Sequence, residues 1–257
     1  MSSHNKITLS LQQAKENRGV ALVPFFTAGY PHKESFPQAL IDISKIGDVV
    51  EIGIPFSDPM ADGMTIQRSS HAALQSGVNL SWIFDQIDSV SASIEAPLVM
   101  MSYLNPLLAF GYENLAERSH KAGVCGFIVP DLPLEESYEL RKALERKDLG
   151  LIQLVTPATP KKRMMQLCEA SKGFVYAVTM TGITGSEIGL SNSISSYLDE
   201  IKQSSNLPVC AGFGVRSADD VAMIGQYATG AIVGSALVEA MESSRDIISF
   251  LSGLREA

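Results

Sequence analysis

The sequence predicts an α/β fold built on a parallel sheet, and three observations carry that reading. Short runs that are apolar at nearly every position alternate with longer amphipathic stretches along the chain. Continuous apolar runs, as opposed to alternating ones, mark strands covered on both faces, as in parallel sheets. Roughly eight such β–α units fit the size of a (β/α)8 barrel, with a doubly wound open sheet as the competitor on periodicity alone. A chain that is 46% hydrophobic and 19% charged suits one large domain over residues 1–257, and no low-complexity linker divides it.

The strands are expected at residues 20–26, 49–52, 98–102, 126–129, 151–155, 174–178, 209–212 and 231–234. Between them lie helical stretches, of which 134–147 is typical. Leu134, Tyr138, Ala143 and Leu144 fall near one face. Glu135, Glu136 and Glu139 come early and Arg141, Lys142, Arg146 and Lys147 late, an order that complements the helix dipole, and Gly150 follows the end. The segment before Val20 reads as an added N-terminal helix.

Composition narrows the function classes. A net charge of −8 without a basic cluster argues against a nucleic-acid surface. The densest basic run, Lys161-Lys162-Arg163, reads as the start of a solvated helix. Cys125, Cys168 and Cys210 have no metal-type spacing, and an odd, scattered set fits a reducing compartment. The polar N-terminus has no apolar signal core, and no apolar run approaches the ~20 residues that span a bilayer, so a cytoplasmic protein without membrane contact is expected.

The most informative stretch is Val49-Val50-Glu51-Ile52-Gly53-Ile54-Pro55-Phe56-Ser57-Asp58-Pro59-Met60-Ala61-Asp62-Gly63. One carboxylate, Glu51, interrupts a β-branched apolar run, and a Pro/Gly loop then brings Asp58 and Asp62. Burying a charge is costly unless it is paired. An acid in a core strand, beside a loop that can turn other acids toward it, therefore points to acid–base chemistry; a strand-end Glu facing water is the plainer reading.

This run resembles the signature of the tryptophan synthase alpha subunit family. The resemblance extends through Val23-Pro24-Phe25-Phe26-Thr27-Ala28-Gly29-Tyr30-Pro31, Ser102-Tyr103-Leu104-Asn105-Pro106, Pro130-Asp131-Leu132-Pro133-Leu134-Glu135-Glu136, Thr181-Gly182-Ile183-Thr184-Gly185, Gly212-Phe213-Gly214-Val215 and Gly234-Ser235-Ala236. It decides for a TIM barrel with an extra N-terminal helix, which would plug the barrel's bottom. Glu51 then sits near the C-terminal end of strand two and Asp62 in the loop after it, the end where such barrels keep their chemistry. The loops after strands two and six are the longest Gly-rich connections, the second with Gly182, Gly185 and Gly189, and read as lids.

The resemblance implies cleavage of indole-3-glycerol phosphate to indole and glyceraldehyde 3-phosphate. Glu51, Asp62 and Tyr176 match the catalytic positions. Gly185, Gly214, Gly234 and Ser235 match the phosphate site, where bare backbone N–H groups at a helix N-terminus can hold an anion. Phe25, Met101, Ile128, Phe213 and Thr184 match the indole pocket, although core packing is the default for most such side chains. Arg216 reads as a solvated helix residue. Pro55, Asp58, Asn105 and Pro133 match contacts to a beta subunit in an alpha2beta2 heterotetramer, with turn chemistry as their alternative role. No cofactor is implied for this chain; the family's pyridoxal phosphate belongs to the beta subunit.

The residues agree with that chemistry. A Schiff-base aldolase needs a Lys at a strand end, and the ends after Glu51, Ser102, Val155, Val178, Gly212 and Gly234 offer none. His4, His32, His71 and His120 are scattered without ligand spacing, so no metal is expected. Met64 departs from the family's usual Pro, which would loosen loop two, and Met180 and Glu187 stand where basic residues are common. The rival readings are another phosphate-binding barrel enzyme of the same pathway and a non-catalytic activating subunit.

Overall fold

In the computed structural model, which describes residues 2–178, 192–212 and 214–256, eight parallel strands pair in chain order and the last closes onto the first. They are β1 (Ala21–Thr27), β2 (Val50–Gly53), β3 (Leu98–Met101), β4 (Val124–Ile128), β5 (Gly150–Val155), β6 (Val175–Val178), β7 (Val209–Gly212) and β8 (Gly230–Val233). The structure is the expected barrel, and each strand begins and ends within two residues of its expected bounds. Every residue of β1, β2, β4 and β8 is buried, as strands covered on both faces require.

Two apolar layers explain why nearly all strand positions are apolar. Outward residues such as Leu22, Phe26, Ile52, Met100 and Phe127 pack under the helices. Inward residues Val23, Val49, Val99, Ile128, Ile152, Phe174, Cys210 and Ile232 fill the barrel and meet Ile7, Leu11 and Ala14 of the helix Ser3–Arg18. That helix is the expected plug. Its Thr8 hydroxyl donates to Gly173 O at 2.7 Å and its Ser10 hydroxyl to Asp48 O at 2.6 Å, both at the strands' N-terminal end.

The expected helix over 134–147 is corrected in two respects. A 3-10 turn, Leu134–Glu136, precedes an α-helix that begins only at Tyr138. This break shifts the helical phase, so Leu140, Ala143 and Leu144 form the buried face and Tyr138 is 57% exposed. Gly150 opens β5 instead of capping the helix; the positive-φ residue of the turn is Asp148, at 57°. The basic run does open an α-helix, Lys161–Ala170, where Arg163 pairs with Glu135, and His71 and His120 lie on two other helices. Cys125, Cys168 and Cys210 are buried free thiols. Among the described residues no helix is long and apolar enough to cross a membrane.

Candidate active site

Glu51 sits in the middle of β2, with Phe25 of β1 and Val99 of β3 as its register partners. It is fully buried, and among the described residues neither carboxylate oxygen has a hydrogen-bond partner. Desolvation without compensation penalises the charged form, and burial pushes Glu51 up to about 8. The water-facing alternative is thereby excluded. Tyr176 of β6 and its register partner Cys210 of β7 lie within electrostatic reach. Burial first, and then the Glu51 charge, raise both the phenol and the thiol well above their ordinary values.

Asp62 lies two residues before the helix Met64–Gln75. Burial raises it to about 6, against the opposing effect of a hydrogen bond from Tyr103. The Tyr103 hydroxyl donates to Asp62 Oδ2 at 3.2 Å and accepts from Ala61 N at 2.8 Å. Gln67 Nε2 donates to Asp62 O at 2.8 Å, and the Tyr103 ring stacks on Phe56 with centroids 5.2 Å apart. Earlier in the loop, Phe56 is held by Ser70 of the helix Met64–Gln75, whose hydroxyl accepts from Phe56 N and donates to Phe56 O. Tyr103 is thus a site residue beyond the sequence-derived set. Its only sequence signal was its place in the matched segment after strand three, because its partner is 41 residues away.

A cavity at the barrel mouth brings Phe25, Met101, Asp62 and Tyr103 together with Thr27 and Gly53. Gly53 is there by necessity: a methyl group on it would lie 2.5 Å from Phe25 Cζ. The same ring approaches Gly234, where a methyl would lie 3.5 Å from Phe25 Cδ1, and the Tyr176 hydroxyl would lie 3.4 Å from one on Gly212. Asp62 thus lines the cavity directly, Glu51 is buried beneath it without lining it, and Phe25 and Tyr176 are the side chains that reach from this region to the glycines after β8 and β7. Ile128 is fully buried at the end of β4 opposite Met101 in register.

The two helix N-termini at this rim differ. The helix Ala218–Tyr227 carries a capping box: Asp220 N donates to Ser217 Oγ at 3.2 Å, and Arg216 N and Ser217 N both donate to Asp220 Oδ2 at 2.9 Å. An Asp already occupies that end. The helix Ser235–Glu242 follows Gly234, which has no side chain to cap it, and its own first turn carries no acid, so among the described residues its first N–H groups have no built-in anion. Gly214, with φ of 69°, turns the chain after β7 in a conformation that favours glycine. Arg216 is not the helix residue expected; it lies in the loop ahead of the helix and pairs with Glu239.

Of the expected docking residues, Asp58 and Pro133 are exposed on the loops after β2 and β4, and Asn105 is exposed in the short helix Leu104–Phe110 that follows β3. Pro55 is buried, at the wall of a groove with Phe56, Leu80, Pro106 and Phe110. Met64 is the first residue of its helix and 79% exposed. Thr184, Gly185 and Phe213, with Met180, Gly182, Glu187 and Gly189, lie outside the described residues.

A family model described as the tryptophan synthase alpha chain matches residues 11–252. The chain is 39% identical over 260 residues to a tryptophan synthase alpha chain of Geobacter sulfurreducens, covering 98% of each. It is 42% identical over 236 residues to one of Bacillus cereus, covering 91% of this chain and 92% of that one. Among solved structures, a tryptophan synthase chain from M. tuberculosis superposes with a TM-score of 0.88 at 33% identity, covering 97% of both chains. The alpha chain of Legionella pneumophila gives 0.87 at 30% identity, covering 100% of this chain and 97% of that one. Likeness of this extent joins the motif, the barrel and the buried acid: the chain belongs to the tryptophan synthase alpha chain family.

Proposed function

We propose that the chain is a lyase of L-tryptophan biosynthesis that cleaves indole-3-glycerol phosphate to indole and glyceraldehyde 3-phosphate. Family membership supports the reaction, and the single observation that carries the residue roles is the bare, buried carboxyl of Glu51. With a pKa near 8, Glu51 is neutral at pH 7 and can protonate indole C3. The resulting carboxylate then takes the proton from the hydroxyl on the adjacent side-chain carbon. The C3–carbon bond breaks, its electron pair returns to the ring, the aldehyde forms and Glu51 is neutral again. Asp62, ionised above about pH 6, accepts the N1–H hydrogen bond and stabilises the positive charge that the protonated ring develops. Tyr103 holds Asp62 in place and keeps it ionised to lower pH. Tyr176, within electrostatic reach of both acids, would assist by positioning the substrate and, once substrate is bound, Glu51.

Phe25, Met101 and Ile128 would hold the indole ring. Gly214, Gly234 and Ser235 would hold the phosphate on peptide N–H groups, with the uncapped helix N-terminus as the favoured anchor. Gly185, Thr184 and Phe213 complete both sets in the family pattern. The chain works in a complex with a beta subunit, in which Asp58, Asn105 and Pro133 on the mouth face would make contacts and Pro55 would shape loop two; an alpha2beta2 assembly in the cytoplasm and allosteric signalling through loops two and six are part of the same reading. Indole is apolar and escapes easily, so a mouth-to-mouth arrangement would pass it on directly. The rival pathway barrel and the non-catalytic activator are less favoured, since relatives named as tryptophan synthase alpha chains match across nearly the full length. The test is indole release from indole-3-glycerol phosphate with and without a beta subunit. Release by the isolated chain, enhanced on titration with the beta subunit, is expected; no release in either condition contradicts the proposal.

A further inference from the structure

Glu239 lies one turn into the helix Ser235–Glu242, beyond the residues assigned above. Its carboxylate gathers groups from two other parts of the rim. Arg216, two residues after Gly214, donates through Nη1 to Oε2 at 2.8 Å and through Nη2 to Oε1 at 3.2 Å. Thr65, three residues after Asp62, donates its hydroxyl to the same Oε1 at 3.1 Å. A second tie runs parallel to the first: Arg68 Nη2 donates to Glu242 Oε2 at 2.5 Å. The helix that opens at Gly234 is therefore fastened on one side to the loop after β7 and on the other to the helix that follows Asp62. Bidentate Arg–carboxylate pairs fix geometry as well as adding energy.

We infer that Glu239 is a positioning residue that holds Asp62 and the two glycine-lined phosphate loops in one register, so that phosphate binding and the placement of the acid are coupled. This inference rests on the reaction proposed above. The groups are side-chain exposed, Arg216 at 62% and Glu239 at 36%, so each link is worth little alone, and the effect to look for is modest and selective. Cutting the Thr65 link frees the Asp62 side and lowers kcat. Cutting the Arg216 link frees the phosphate side and raises KM. Removing Glu239 does both.

The experiment measures steady-state indole release by the full chain and by Glu239→Ala, Thr65→Val, Arg216→Gln and the Thr65→Val/Glu239→Ala double variant, alongside binding of inorganic phosphate by calorimetry. Glu239→Ala is expected to lower kcat and raise KM about fivefold each, the scale of one exposed link. Thr65→Val should reproduce the kcat loss alone, Arg216→Gln the KM rise alone, and the double variant should have the kcat of Glu239→Ala. Inorganic phosphate should bind about fivefold more weakly to Glu239→Ala and Arg216→Gln and unchanged to Thr65→Val. Unaltered kinetics in Glu239→Ala, multiplying losses in the double variant, or losses that follow a lowered unfolding midpoint and vanish on cooling would overturn the inference. Absence of indole release by the unaltered chain would instead defeat the reaction, and the phosphate-binding series would still decide whether Glu239 organises the anion side.

Discussion

Asp48 and Glu51 stand three residues apart, one just before β2 and the other inside it, and both are buried, at 8% and 0% exposure. Their surroundings are opposite. Asp48, at the bottom of the barrel, accepts a hydrogen bond from Leu22 N at 2.8 Å and pairs with Arg18 and with Arg255, the latter at 2.9 Å. Glu51, on the way to the mouth, has neither oxygen partnered among the described residues. The compensated acid fastens both ends of the chain to the closed end of the barrel. The uncompensated one is kept near a neutral pKa and free to exchange a proton. Equal burial thus serves structure at one end and chemistry at the other, and the presence of partners is what separates the two.

Glu51→Gln breaks the comparison most severely. Loss of a general acid–base removes on the order of 10³-fold in turnover, while inorganic phosphate binding persists. The same variant should be the more stable protein above neutrality. A Glu whose folded pKa is raised to about 8 from an ordinary 4.5 binds more protons folded than unfolded across that interval. Its presence therefore lowers stability progressively as pH rises through it. The unfolding midpoint of Glu51→Gln should exceed that of the unaltered chain by a margin that grows from about pH 5 to pH 8; a constant margin would contradict the assigned environment. Asp48→Ala is the reciprocal case. It leaves Leu22 N–H without its carboxylate acceptor and two guanidinium groups without theirs, and should cost about 3 kcal/mol in denaturant unfolding, with kcat per folded molecule unchanged.

The strands and Glu51 were legible for one physical reason. Strands buried on both sides read as unbroken apolar runs, and a lone acid in one of them stands out. Asp48 did not stand out. It precedes the strand, where an acid at a turn is ordinary, and its partners Arg18 and Arg255 come from the ends of the sequence. Tyr103 was hidden for the same reason, since no local pattern ties an aromatic after strand three to an acid after strand two. The capping box at Ser217 and Asp220 separates the self-satisfied helix end from the open one at Gly234. The 3-10 turn at Leu134–Glu136 was not readable, because Leu134 keeps a place against the core and conceals the change of phase beyond it.

A smaller perturbation sharpens the contrast between an acid with a partner and an acid without. Tyr103→Phe removes the hydrogen bond that opposes the upward shift of Asp62. The acid limb of the rate profile should move to higher pH, with the alkaline limb, set by Glu51, in place. A displaced alkaline limb, or an unmoved acid limb, would show that Tyr103 does not act through Asp62.

The pH dependence of kcat/KM for indole release tests the central claim most directly, because it reads both acids at once. An ionised Asp62 and a neutral Glu51 coexist only between their two pKa values, so the account predicts a bell with limbs near pH 6 and pH 8, and no alkaline limb in whatever residual rate Glu51→Gln retains. A profile level from about pH 5 to pH 9, or an alkaline limb that survives in Glu51→Gln, would contradict it.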